Sequence, residues 1–158
     1  MTNFTIREAS GDDALAVLNL HQRSVLGLCI HDYTQEQIKS WLSQSSLEKY
    51  KIRLEIHRSY IAELDDKIAG YLRWNPETNE LCSIFVDPDF IRQGIATCLM
   101  RIAEEDAVKH NANELWLDAS LTAVPFYEAR GWTYVELSMH GPLECVRMTK
   151  QLPEEIGG

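Results

Sequence analysis

Apolar positions along the chain follow two periods, near 3.6 and near 2, and their alternation predicts a series of helices and strands. Phe4 to Arg7 alternates as a short strand. Asp12 and Asp13 can cap a helix that runs through about Cys29, with Leu15, Val17, Leu18, Val25 and Leu26 along it. Thr34 and Gln37 have the spacing of a capping box and open a second helix through Trp41. From Ser46 to His57 both periods fit: Leu47, Tyr50 and Leu54 suit a helix, whereas Ile52, Leu54 and Ile56 suit a strand. The segment is read as helix, with strand as the alternative.

Tyr60 to Glu63 and Lys67 to Trp74 flank Asp65-Asp66 and read as a hairpin. The polar stretch Asn75 to Asn79 turns into a strand at Glu80 to Val86, which Pro88 ends. Gly94 then opens a helix to about residue 110, with Ile95, Cys98, Leu99, Ile102, Ala103 and Ala107 at helical spacing. A strand at Glu114 to Asp118, a short helix near Ala123 to Arg130, and strands near Thr133 to Met139 and Leu143 to Lys150 complete the series. Thr122 is positioned to cap the short helix, Pro125 is tolerated in its first turn, and Gly131 suits a left-handed residue past its end. The expectation is one α+β domain over residues 1–158, with a mixed sheet of about six to seven strands flanked by about four to five helices.

Chemistry concentrates first at the junction from Phe85 to Ala96, where a buried strand gives way to a helix. A helix start carries unpaired N–H groups and the positive end of the dipole, and Gly94 and Ala96 leave an anion room against that backbone. Neither G-x-x-x-x-G-K-S/T nor G-x-G-x-x-G occurs, which closes the usual nucleotide-triphosphate and dinucleotide readings. The 158 residues, 45% hydrophobic and 25% charged, suit one soluble domain. No apolar run approaches a membrane span, and no apolar signal segment follows the start, so a cytoplasmic location and no membrane partner are expected. A net charge of -9 without a basic run disfavours nucleic acid as a partner. Cys29, Cys82, Cys98 and Cys145 lack metal-like pair spacing, and the histidines are scattered without H-E-x-x-H, so reduced thiols and no metal are expected. Ser120 has no G-x-S-x-G setting, which argues against a hydrolase.

Ile91-Arg92-Gln93-Gly94-Ile95-Ala96 resembles the pyrophosphate-binding segment of the GCN5-related N-acetyltransferase (GNAT) superfamily, Gln/Arg-x-x-Gly-x-Gly/Ala after a strand. Ile91 departs from the pattern and leaves that contact to backbone. Ala123 to Trp132, with Phe126-Tyr127 and Gly131-Trp132, resembles a second segment of the superfamily in the right order and separation. The resemblance covers about residues 80 to 150. Tyr33-Thr34 with Gln37-Ile38 and Trp41, Phe85 to Pro88, and Asp118 to Phe126 look more closely like the YafP-like bacterial branch.

This resemblance implies a single GNAT-like domain with a splayed cleft for acetyl-CoA, and transfer of its acetyl group to an amine. The implied cofactor-binding residues are Ile84, Phe85, Val86, Ile91, Arg92, Gln93, Gly94, Ile95, Ala96, Ser120 and Phe126. The sheet would open between Ile84 to Val86 and Trp116 to Asp118, and an N–H near Phe85 or Val86 would polarise the thioester carbonyl. Tyr127 would protonate the departing thiolate. Glu80 is the expected base, with His31, His140, Ser83 and Asp118 as competitors. His31, Tyr33, Trp41 and Trp74 are expected to form an acceptor pocket, and their aromatic crowding favours a small-molecule amine. A homodimer is left open. The alternatives are a non-catalytic acyl-CoA or ligand-sensing module and a protein or peptide N-acetyltransferase.

Overall fold

In the computed structural model of the protein, residues 3–28, 32–43 and 45–154 are described. Seven strands, β1 (Thr5–Glu8), β2 (Arg58–Leu64), β3 (Lys67–Asn75), β4 (Glu80–Val86), β5 (Glu114–Ser120), β6 (Thr133–His140) and β7 (Leu143–Gln151), form one sheet. Its order is β1-β2-β3-β4-β5-β7-β6, antiparallel throughout except between β4 and β5. Five helices accompany it: α1 (Ala14–Leu28), α2 (Gln35–Ser43), α3 (Leu47–Ile56), α4 (Ile95–Lys109) and α5 (Val124–Glu128). The α+β reading and its element order therefore hold.

Local signals act as their chemistry requires. Asp65 and Asp66 take φ of 50° and 62°, the left-handed pair that lets a two-residue loop match strand twist. The Gln37 N–H donates to Thr34 Oγ1 at 3.1 Å, and the Thr34 N–H donates to Gln37 Oε1 at 2.9 Å, closing the capping box of α2. Ser46 decides the ambiguous segment for helix by accepting from the Lys49 N–H at 3.2 Å. Tyr50 and Leu54 then turn inward, while Ile52 and Ile56, which fitted the strand reading, stay exposed. Thr122 does not cap α5. Ala123 occupies that position, and the Thr122 hydroxyl donates to Asp32 instead.

One sheet face packs on α4, with Leu72, Trp74, Leu81, Leu99, Met100 and Leu117 at its core. The other packs on α1 and α3 through Val17, Leu20, Tyr50, Leu54, Ile61 and Tyr71. The close seat of α4 needs Gly70, where a Cβ would meet Ile95 Cγ2 at 2.6 Å. Asp106, 8% exposed on α4, accepts from Trp74 Nε1 at 2.9 Å and pairs with Arg58 of β2. This polar tie joins α4 to the middle of its sheet face and fixes the helix along the strands.

Asp106→Ala strands the buried indole N–H and the Arg58 charge. Urea denaturation should show a loss of about 2–3 kcal/mol, the penalty for leaving such groups unsatisfied.

Candidate active site

The parallel contact between β4 and β5 is registered at one pair, Glu80 opposite Trp116, beside a Trp116 N–H to Asn79 carbonyl bond of 3.1 Å. Beyond it the strands part. The β5-facing edge of Ile84 to Val86 consequently has no strand partner among the described residues. A bulge on β4 accompanies the divergence: Ser83 faces Arg73 and Leu81 faces Trp74, so Cys82 is the extra residue. The sheet opens there into a cavity of about 830 Å³.

At one end of the cavity lies the start of α4. Arg92 and Gly94 take φ of 64° and 81°, turning the chain so that Gly94 becomes the helix cap without any side-chain hydrogen bond. The first internal bond runs from the Cys98 N–H to the Gly94 carbonyl at 3.0 Å. The earlier N–H groups of α4 are thus directed outward with their dipole, and a Cβ built on Gly94 meets nothing within 4 Å. Ile91, Arg92, Ile95 and Ala96 line this end. The Ile95 side chain is packed in the core, so only its backbone is offered. Gln93 turns inward and does not line the cavity; its Oε1 is buried without a partner. Ile91 is exposed.

The same end contains two residues that motif reading passed over. Arg130 lies 3.8 Å over the Phe126 ring and donates to Thr97 Oγ1 at 2.8 and 3.0 Å. Thr97 sits in the first turn of α4, so this guanidinium adds a positive charge to the helix-start end of the cavity. Its position one residue before the motif glycine was the available signal. Ser120, Phe126 and Tyr127 line the opposite wall. Tyr127 is 4% exposed, wedged edge-on between Phe126 and Trp132, and its hydroxyl has no hydrogen bond among the described residues. Burial pushes its pKa above the ordinary 10, so the phenol keeps its proton.

The other end lies between β4 and α1 to α3. Leu81, Ile84 and Val86 all pack toward α4, which an unbroken strand could not achieve with its two-residue period. The bulge corrects the parity and puts Glu80 on the face shared by Phe85. Glu80 is half-buried and lines the cavity; burial and the neighbouring Asp118 raise its pKa. Asp118 itself is held by Arg147 through bonds of 2.9 and 3.0 Å. Tyr33 donates to the Glu144 carbonyl at 3.0 Å and accepts from the Leu121 N–H at 2.7 Å, fastening the wall that it forms with Trp41.

Trp74 is a correction to the expected pocket. It is fully buried against α4 with its N–H on Asp106, because it follows Arg73 on β3 and faces the opposite way. His31 lies outside the described residues. Ser83 and His140 line the cavity, as do His21, Arg53, His57 and Arg73, which sequence reasoning did not select. Their signal was weak: each appears as an isolated residue in an amphipathic element. The thiols of Cys82 and Cys145, also in the cavity, are pushed up by burial to about 11 and are inert near neutrality.

His21 stacks on Phe85 with ring centres 4.2 Å apart and shares a 2.7 Å hydrogen bond with the Tyr50 hydroxyl. Burial, aided by Arg53 and Arg73, lowers its pKa from 6.5 to about 4. The unfolded chain therefore binds the proton first, and this site's contribution to stability is complete above pH 6.5 and lost as pH falls toward 4. An NMR titration should find His21 neutral at pH 6, and Tyr50→Phe should leave that neutrality in place, since burial is its main cause.

Comparison with known proteins fits this geometry. A profile of the acetyltransferase (GNAT) domain matches residues 29–152, extending well before the segment that carries the sequence motifs. The uncharacterized N-acetyltransferase YafP of Escherichia coli is 26% identical over 136 residues, spanning 86% of this chain and 85% of its own. A GCN5-related N-acetyltransferase from Rhodopseudomonas palustris superposes with a TM-score of 0.89 at 26% identity, covering 96% of this chain and 98% of that one. The PaiA N-acetyltransferase of Thermoplasma acidophilum, solved in complex with coenzyme A, has the same fold, with a TM-score of 0.82 at 21% identity over 94% of this chain and 99% of that one. With a seven-stranded sheet that parts at β4 and β5, and a matching profile over most of its length, the chain belongs to the GNAT acetyltransferase family.

Proposed function

We propose that this acetyltransferase moves the acetyl group of acetyl-CoA directly to the amine of a small molecule. The observation that carries the reading is the cleft itself: an unpaired strand edge with an uncapped helix start at one end and Glu80 at the other. The residues present fit the co-substrate. The free N–H groups of α4, the open space at Gly94 and the Arg130 charge suit a pyrophosphate, and the edge of Ile84 to Val86 suits the amides of its arm. When bound, acetyl-CoA supplies an acetyl group activated as a thioester.

Each step then has a residue. Glu80, with its raised pKa, accepts the proton that an alkylammonium of pKa about 10.4 must lose before it can attack. A backbone N–H near Phe85 or Val86 donates to the thioester carbonyl as negative charge develops. As the N–C bond forms and the C–S bond breaks, the attacking nitrogen gives up its second proton, which passes through solvent to the departing sulfur or to bulk. The Tyr127 hydroxyl meanwhile donates a hydrogen bond to that sulfur and keeps its proton. A thiol pKa of about 8.5 lies below that of the phenol, so full proton transfer is uphill. Tyr127 therefore contributes chiefly as a hydrogen-bond donor to the thiolate. Tyr33 and Trp41 enclose the acceptor, which favours a small molecule over a protein terminus.

The test is acetyl-CoA-dependent thiol release over polyamines, amino acids, aromatic amines, aminoglycosides and short peptides. Tyr127→Phe should lower kcat by about 10²-fold with little change in KM for acetyl-CoA. Acetyl-CoA binding without release from any acceptor would favour a sensing module. Gly94→Glu forces a side chain into a left-handed backbone position and sets a carboxylate against the anion site. Calorimetry should show at least about a 100-fold loss of acetyl-CoA affinity, since strain and repulsion together cost several kcal/mol; undiminished affinity would remove the pyrophosphate from this loop.

A further inference from the structure

The acceptor half of the cavity carries charges that the transfer chemistry does not use. Arg73 on β3 is 7% exposed, yet forms no ion pair among the described residues. Its Nη1 donates to His57 Nδ1 and its Nη2 to Ser83 Oγ at 3.3 Å, while its Nε is buried without a partner. Arg53 of α3 faces the same cavity, half-buried, with the Tyr50 ring at 5.3 Å but, among the described residues, no carboxylate or hydrogen-bond acceptor. Two guanidinium groups thus share one wall, close enough that Arg73 helps to hold the Arg53 pKa below its usual value. Burial first, and then these two cations, lower the pKa of His57 and His21, which disfavours further positive charge on the wall.

A buried cation without a counterion costs several kcal/mol, and this one is retained in a chain of net charge -9. The opposite charge lies elsewhere in the same cavity. Glu80 is likewise without an ion pair among the described residues, and Asp118, although held by Arg147, adds to the negative field around it. The cavity is bipolar: an anionic floor at the parting of β4 and β5, and a cationic wall from β3 and α3.

We infer that the acceptor is zwitterionic, its amine directed to Glu80 and an anionic group, a carboxylate or phosphate monoester, held by Arg53 and Arg73. A guanidinium fork matches either anion with paired N–H donors; Arg53 offers such a fork from the cavity wall, and Arg73 adds a buried charge with no ion pair among the described residues beside it. The amine is thereby oriented by the far end of its own molecule, so the cationic wall acts on acceptor selection and leaves the acetyl-CoA end untouched. This inference rests on the amine-acceptor reading of the cavity but not on turnover, because anion binding can be read by itself.

The test pairs each acid with its uncharged analogue: glycine, β-alanine, L-glutamate, L-phenylalanine and L-lysine against their carboxamides, and O-phosphoethanolamine against ethanolamine. Each is titrated calorimetrically into the wild-type protein and Arg53→Gln, with and without coenzyme A, and then assayed for thiol release. At least one acid should bind about 10-fold or more tightly than its analogue, and the carboxylate and phosphate arms tell which anion is preferred. Arg53→Gln should erase that preference while leaving acetyl-CoA affinity and the weak binding of the neutral analogue unchanged. Arg73→Lys, which retains charge but not the fork, should weaken the acid partly and serves as the folded control for the buried position. Equal binding of acids and analogues, or no binding by any acid, would overturn the inference. Acid-selective binding abolished by Arg53→Gln, but without thiol release, would uphold the anion wall and count against acetyl transfer instead.

Discussion

The constraint on which the site depends is that backbone N–H and C=O groups need partners, and one internal strand edge of the sheet has no strand partner among the described residues. Glu80 opposite Trp116 is the last place where β4 and β5 meet. Such an edge in the middle of a sheet is costly to leave unpaired in a dry interior. It is sustained here because the strands open into a wide cavity rather than into packed side chains. The antiparallel pairs on either side, β3 with β4 and β5 with β7, each run over the length of a strand and hold the two halves of the sheet apart. The cleft is therefore a property of the sheet and not of a movable loop. Much of its lining comes from regular elements, and Tyr33, Arg92, Thr122 and Arg130 reach it from the turns between them.

That arrangement separates two electrostatic tasks. Outward N–H groups of α4 and Arg130 supply a positive end without exposing a lysine-rich patch, in a protein whose net charge is -9. Tyr127 sits between that end and the acceptor half, buried enough that its proton is retained at any physiological pH. Glu80 shifts in the same direction: burial and then Asp118 raise its affinity for a proton, as the proposed base would need in order to take one from an amine. Low dielectric produces both shifts, and both favour the neutral form.

Most of the fold was legible because its signals are local. Thr34 with Gln37 announced a helix start, Asp65-Asp66 a tight hairpin, Gly94 a helix opening and Gly131 a left-handed residue past a helix end. The α4 end of the cavity was legible for the same reason, since a helix start and its glycine are adjacent in sequence. The end between β4, α1 and α3 was not. Arg53, Arg73 and His21 come from three elements, and nothing near any of them in sequence indicates that they share a wall. Trp74 was misassigned because an aromatic residue on a strand gives no sign of which face it occupies. Thr122 had the right chemistry for a cap, but Asp32, distant in sequence, provided its partner.

The β4 bulge shows why strand parity in particular eluded sequence reading. Without an extra residue at Cys82, Glu80 would share a face with Ile84 and Val86 and point toward α4, among Leu99 and Met100. With it, the apolar residues of β4 remain in that core while Glu80 turns to the side of Phe85, His21 and Arg73. The same irregularity bends the strand away from β5 and so helps to open the cleft. A single inserted residue thus couples the two requirements of the proposed site, a free strand edge that would take the co-substrate and a carboxylate that would face the acceptor. Neither follows from the composition of β4, because both depend on where its pairing with β3 slips.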